Sequence, residues 1–112
     1  MADQTTIYRD NAWRIADTLT MTDPVTGAES AVSGQTLEGW LAATAAGDEI
    51  HPDLRIPLTE NGTSGVYSGI LDDSSIAAHL ATYTVVYEIV RSSDGDYRTW
   101  KKRAVKPNRP AA

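Results

Sequence analysis

Cysteine is absent from this 112-residue chain, and so is phenylalanine. The first absence excludes a disulfide framework, a thiol nucleophile, a zinc ribbon and an iron–sulfur centre. The second means that any core must be assembled from tryptophan, tyrosine and aliphatic side chains. Long apolar runs are missing too. Nothing approaches the roughly 18 residues that a membrane span requires, and Met1 to Arg9 has neither the basic start nor the apolar middle of a signal peptide. These features predict a soluble chain that does not take the general export route. Histidine is limited to His51 and His79. They lack the i, i+4 spacing and the neighbouring carboxylates of a ligand pattern, so ordinary surface or rim positions are expected, with no metal and no other cofactor. Gly-x-Ser-x-Gly does not occur, and no catalytic residue is assigned. A chain of this length buries roughly 65% of its unfolded surface, enough for one core but not two domains.

Basic residues are scarce until the end of the chain. The formal charge is −5, from 10 basic and 15 acidic residues. Six of the basic residues (Arg98, Lys101, Lys102, Arg103, Lys106 and Arg109) lie from position 98 onward, where there is no acid, leaving 4 basic against 15 acidic, or −11, for residues 1–97. An acidic body argues against a general nucleic-acid binder, because phosphate contact needs a basic surface. The basic end can meet an acidic neighbour instead, or can be the solvated face of a last strand followed by a loose terminus.

What is abundant is alternation. Apolar residues recur with period two, in short runs broken by turn residues every ten to fifteen positions, the pattern of an all-β sandwich or barrel. Trp13 to Met21 is the first run, with Trp13, Ile15, Leu19 and Met21 on one face. Asp17 falls on that apolar face, so either a bulge near Ala16 shifts the register or the carboxylate is hydrogen-bonded at the rim; the bulge is the preferred reading. Asp23-Pro24-Val25-Thr26-Gly27 is a turn. Thr36 to Ala43 alternates with both faces partly covered, and Thr44 to Asp48 is a small, flexible stretch. Leu54, Ile56 and Leu58 alternate around Pro57, which predicts an edge strand or an outward proline. Asn61-Gly62-Thr63-Ser64-Gly65 is a turn before a strand at Val66 to Leu71, and a glycosylation match at Asn61 is read as part of that turn. Asp72 or Asp73 caps a brief helix, Ser74 to Leu80. Tyr83 to Val90 is the best strand and is placed centrally. Asp94-Gly95 supplies a hairpin turn into Tyr97 to Val105. The prediction is an all-β, immunoglobulin-like antiparallel sandwich of about seven strands with one short helix at about 74–80. It spans 6–105, after a flexible N-terminus at 1–5 and before an extended basic, proline-containing tail at 106–112.

The acidic pairs Asp72-Asp73 and Asp94-Gly95-Asp96 are read as caps and turns, because calcium needs five to seven converging oxygens and a glycosidase needs two opposed carboxylates. Of the tryptophans, Trp13 is assigned to the core. Trp40 and Trp100 are the candidates for stacking on a glycan. Trp100, flanked by Arg98, Lys101 and Lys102, is the residue most suited to an interface. The candidate interface set is Trp100, Arg98, Lys101, Lys102, Arg103, Lys106 and Arg109.

The order of motifs resembles a family of small β-sandwich proteins of tailed bacteriophages, related to the N-terminal domain of the baseplate upper protein. The resemblance rests on Tyr8-Arg9-Asp10-Asn11-Ala12-Trp13, on the turn within Leu19 to Gly27, on Ser33-Gly34-Gln35-Thr36, and on Asn61 through Arg98. Within that last stretch, Gly65-Val66-Tyr67, Tyr83-Thr84-Val85-Val86-Tyr87-Glu88 and Asp94-Gly95 carry the likeness. It implies a non-enzymatic virion structural module, in the capsid, neck or tail, made in the host cytoplasm. Its implied partners are other virion proteins and copies of itself, with no membrane. A carbohydrate-binding module using exposed tryptophans is the alternative.

Overall fold

The computed structural model describes residues 5–95 and 97–107. Among these, nine strands and one α-helix follow one another: β1 (Thr6–Tyr8), β2 (Trp13–Thr18), β3 (Thr20–Thr22), β4 (Glu29–Ala31), β5 (Leu37–Ala42), a 3-10 turn (Pro52–Leu54), β6 (Arg55–Glu60), β7 (Val66–Leu71), α1 (Asp73–His79), β8 (Val85–Ser92) and β9 (Arg98–Lys106). Seven strands form one sheet in the order β1-β9-β8-β5-β6-β7-β2, while β3 and β4 make a separate hairpin. The chain is mostly β with one short helix, as its alternation predicts. The sheet is mixed rather than purely antiparallel, because β1 runs parallel to β9. No helix among the described residues is long and apolar enough to cross a membrane.

The sheet curls because β6 serves two partners in succession. It pairs with β5 through Arg55–Leu58 and with β7 only at Thr59 and Glu60. Beyond that corner, β7 and β2 form a ribbon in unbroken register from Trp13↔Leu71 to Thr18↔Val66. The ribbon turns back over β8 and β9: the Trp13 indole N–H donates to Glu88 Oε1 at 2.7 Å, and the Tyr97 and Thr99 hydroxyls donate to Asp17 Oδ2 at 2.8 and 2.9 Å. The result is close to a barrel. Its interior holds Ile7, Ile15, Leu41, Tyr67, Val86 and Val90, with Leu54, Ile76 and Leu80 plugging one end. Tyr67, the largest fully buried side chain, satisfies its hydroxyl by donating to the Val32 carbonyl at 2.8 Å.

Local chemistry accounts for most boundaries. Asp72 is the N-cap of α1, its side chain accepting from the Ser75 N–H at 2.9 Å. Those backbone and hydroxyl donors hold the Asp72 carboxyl below the usual carboxylate range. Asp23 does the same in the turn between β3 and β4, accepting from the Val25 and Thr26 N–H groups, which lower its pKa. β8 lies between β9 and β5, a central position as expected, and the Tyr83–Val90 run begins its ladder at Val85.

Two expectations are corrected. The run from Trp13 to Met21 is two strands, broken at Leu19. Asp17 causes no bulge: the β2–β7 register is continuous, and the carboxylate sits on the inner side because two hydroxyls of the β9 segment meet it there. Of the two expectations for Pro57 the second holds: β6 is an interior strand, and the proline points outward, just before β6 changes partner. Two strands escape the alternation argument altogether. β1 is three residues long and gains its meaning from β9, and β4 is exposed throughout. The expected N-terminal and C-terminal tails fall largely on residues 1–4 and 108–112, outside the described residues; Lys106 belongs to β9.

Gly65 shows how tightly the corner is built. Its φ is +75°, its carbonyl accepts from the Leu19 N–H at 2.8 Å, and a Cβ there would stand 2.7 Å from the Leu19 carbonyl oxygen. Gly62, in the same turn, also has a positive φ, of +64°, but open space around it. Gly65→Ala should therefore lower unfolding free energy by roughly 3 kcal/mol, against about 1 kcal/mol for Gly62→Ala. Urea denaturation of the two variants checks the difference.

Tyr97 provides a pH signature of the closure. Burial, followed by the hydrogen bond and negative charge of Asp17, pushes the phenol up to about 12. The folded pKa is raised, so the stabilisation is complete below the ordinary tyrosine value near 10 and is lost as pH rises through about 12. Stability should fall across that window in the wild type and fall less in Tyr97→Phe, as followed by circular dichroism on alkaline titration.

Candidate interaction face

The outer side of the sheet is set by alternation along β8. Val86, Glu88 and Val90 turn inward, so Tyr87, Ile89 and Arg91 turn outward. Cross-strand register then assembles rows. Trp40 on β5 stands opposite Ile89, and Ile89 stands opposite Trp100 on β9. Arg55 on β6 extends this row beyond Trp40. A second row brings Ala42, Tyr87 and Lys102 together, and a third Glu38, Arg91 and Arg98.

Trp40 is buried even though it faces outward. The 43–48 segment folds back on itself, with the Ala43 N–H donating to the Asp48 carbonyl, and lies across the indole, whose N–H donates to the Gly47 carbonyl at 3.0 Å. Arg98 clasps the same segment by donating to the Ala45 carbonyl at 3.0 Å. The guanidinium groups of Arg55 and Arg91 stand 4.2 and 5.2 Å from the Trp40 ring centroid. Both arginines are paired with Glu38, and Arg55 also with Glu49. Burial pushes the Glu38 carboxyl up, but the Arg55 and Arg91 hydrogen bonds outweigh it and hold its pKa below the ordinary value. Trp40, Ile89 and Ala42 thus make a small second core on the outer face. Trp40 has no free ring face for a glycan, which corrects its candidacy.

Trp100 is the opposite case. It is 53% exposed, its one aromatic neighbour being Tyr87, edge-on at 5.8 Å. Lys102 lies beside Tyr87 on the same face. Lys101, Lys102 and Lys106 are all exposed and form no ion pair among the described residues. Alternation puts Lys101 on the other side of β9, with Thr99 and Arg103. The face therefore carries an exposed indole, a phenol edge and cations in a band along β8 and β9.

Arg103 leaves the interface set. It turns inward, donates to Glu88 Oε2 at 3.2 Å, and stands 5.2 Å from the Trp13 ring centroid. Its side chain is 11% exposed and that of Glu88 1%. Arg109 lies outside the described residues. The sequence reading missed Tyr87, Arg55 and Arg91 as members of the face. The hairpin register could have found Tyr87, since pairing Arg91 with Arg98 puts Ile89 opposite Trp100 and Tyr87 next along the same face. It also missed that His51 and His79, far apart in the chain, are stacked in space.

The chain matches no family model, no curated protein and no solved structure.

Removing one member of the inner pair should expose its structural role. Arg103→Met leaves the Glu88 carboxylate buried without its guanidinium and should lower stability by about 3 kcal/mol. Adding Glu88→Gln, which removes the stranded charge and still accepts from the Trp13 N–H, should recover part of that loss. Chemical denaturation of the single and double variants measures both.

Proposed function

We propose that this chain is a non-enzymatic structural protein of a tailed-phage virion, acting in multiple copies through protein–protein contacts centred on Trp100. The observation that carries the contact role is the exposed indole itself. A large aromatic ring, more than half in solvent on a regular sheet and beside the exposed Lys102, has the composition of an interface centre rather than of a solvated face. The virion setting comes from the motif resemblance described above, which also supports assigning the curled sheet to the immunoglobulin-like sandwich class. In that assignment β2 and β7 form the second layer, and β6 is the strand that crosses between layers.

Charge favours a second copy, or a similarly acidic virion protein, as the surface that Trp100 meets. Residues 1–97 carry −11, and acids such as Asp72 and Asp73 are exposed. Contact between a basic face and an acidic one on the next copy is heterologous, the kind that closes into rings or runs into arrays. The same indole supports the glycan alternative, with Trp100 in place of Trp40.

Purified particles of the phage that encodes the chain should contain it in many copies by quantitative mass spectrometry; its absence from particles would overturn the reading. In solution, Trp100→Ala should weaken self-association or particle binding by about 30-fold or more, as expected for an aromatic centre contributing at least about 2 kcal/mol. Sedimentation velocity and particle co-sedimentation report the loss. A glycan-array signal that vanishes in the same variant, with particle binding unchanged, would select the glycan-binding alternative.

A further inference from the structure

The only two histidines of the chain come together with a carboxylate at the end of the barrel plugged by α1. The imidazoles of His51 and His79 are stacked, with centroids 3.7 Å apart and planes 15° from parallel. Asp53 Oδ2 lies 3.1 Å from His79 Nε2 and 3.5 Å from His51 Nδ1, and one donor atom from each residue falls within 4.8 Å of the others.

The positions follow from local structure. His51 is the N-cap of the Pro52–Leu54 turn, and its Nδ1 accepts from the Asp53 N–H at 3.1 Å. That hydrogen bond engages the Nδ1 lone pair and puts the ring proton on Nε2, so an ion held at Nδ1 would take the place of the Asp53 N–H. His79 is the last residue of α1, a helix anchored by Ile76, and the Leu80 cap and Leu54 of the turn share its core. The apolar packing of helix against turn thus holds three donors at one point on the surface.

We propose that His51, Asp53 and His79 form a binding site for a divalent transition-metal ion of the zinc class. Two imidazoles and a carboxylate are a donor set that zinc accepts, and ligands about 2.0–2.1 Å from a tetrahedral ion stand roughly 3.3 Å from one another. The 3.1 and 3.5 Å separations bracket that value. To converge on an ion the two rings turn out of the stack about their Cβ–Cγ bonds. The half-buried His51 and the exposed Asp53 leave room for this, and the remaining coordination position goes to water. With no cysteine in the chain, no thiolate competes for the ion. The bound ion would tie the Pro52–Leu54 turn to α1, a link now made by side-chain packing and the His79–Asp53 contact. This site is separate from the Trp100 face and does not depend on the virion reading.

The chain offers a clean test, since its imidazole NMR signals come from two residues only. The full-length protein, prepared without a histidine tag, is titrated with zinc chloride. Both sets of ring signals should shift together and saturate at one equivalent. Cobalt(II) should give the intense visible bands of a four-coordinate site. His79→Gln, His51→Gln and Asp53→Asn should each weaken zinc binding by at least about 10-fold while the circular dichroism spectrum is retained. The wild-type titration needs no substitution, so it decides the matter even if a variant fails to fold. Ring signals unmoved at about 1 mM zinc would overturn the proposal. So would zinc binding of equal strength in the His51→Gln, His79→Gln double variant, which would mark an adventitious ion on surface carboxylates.

Discussion

The closure of this fold depends on the carboxylate of Glu88. It is buried within the sheet at the centre of β8, accepts from the Trp13 indole on β2, and is paired with the Arg103 guanidinium on β9. A charge in that position is tolerated only with partners, and its partners come from two other strands. Sheet curl, the packing of the β2–β7 ribbon and the inward turn of Arg103 therefore belong to one arrangement. Asp17, meeting the Tyr97 and Thr99 hydroxyls farther along the same contact, repeats the principle with neutral donors. The ribbon is laid over β8 and β9 by polar groups at two points, and apolar side chains fill the space between.

Such closure divides the charges of the chain into two kinds. Those drawn into the fold are spent on geometry: Arg103 on Glu88, Arg55 and Arg91 on Glu38 and on the faces of Trp40, Arg98 on the loop over Trp40. The lysines of β9 remain in solvent. Among the described residues, the basic stretch seen along the sequence as one block is thus two populations in space, Arg98 and Arg103 that build and Lys101, Lys102 and Lys106 in solvent, in keeping with the planar, multi-donor guanidinium and the flexible, strongly hydrated ammonium.

Local chemistry was legible in the sequence, and long-range pairing was not. The Asp72 cap, the Val66–Leu71 strand, the central place of β8 and the glycine turns at Gly27, Gly62 and Gly95 follow from propensities acting over a few residues, and they match the structure. What escaped were features created by contact between distant segments. Thr6–Tyr8 has no pattern of its own until β9 pairs with it. Asp17 reads as a fault in an apolar face until the Tyr97 and Thr99 hydroxyls arrive from about eighty residues away. Trp40 lies on a face that alternation leaves only partly covered, yet it is buried because a short loop folds across it. The candidate site divides in the same way: Trp100 was recognisable from its neighbours, whereas the inward turn of Arg103 depends on strand parity relative to Glu88. The two histidines could not be joined by any spacing rule, since a helix and a 3-10 turn from separate parts of the chain bring them together.

The pairing of β1 with β9 has a mechanical side. The two strands lie at opposite ends of the chain yet run parallel, with Thr6 beside Ala104 and Tyr8 beside Lys106. Tension applied before Thr6 and after Lys106 pulls these neighbours in opposite directions along their common axis. The bonds between them, including Ala104 N–H to the Thr5 carbonyl and Arg9 N–H to the Lys106 carbonyl, are then loaded together in shear instead of being opened one after another. A three-residue strand that gives the core only Ile7 thus acts as a clasp on β9 under such a load.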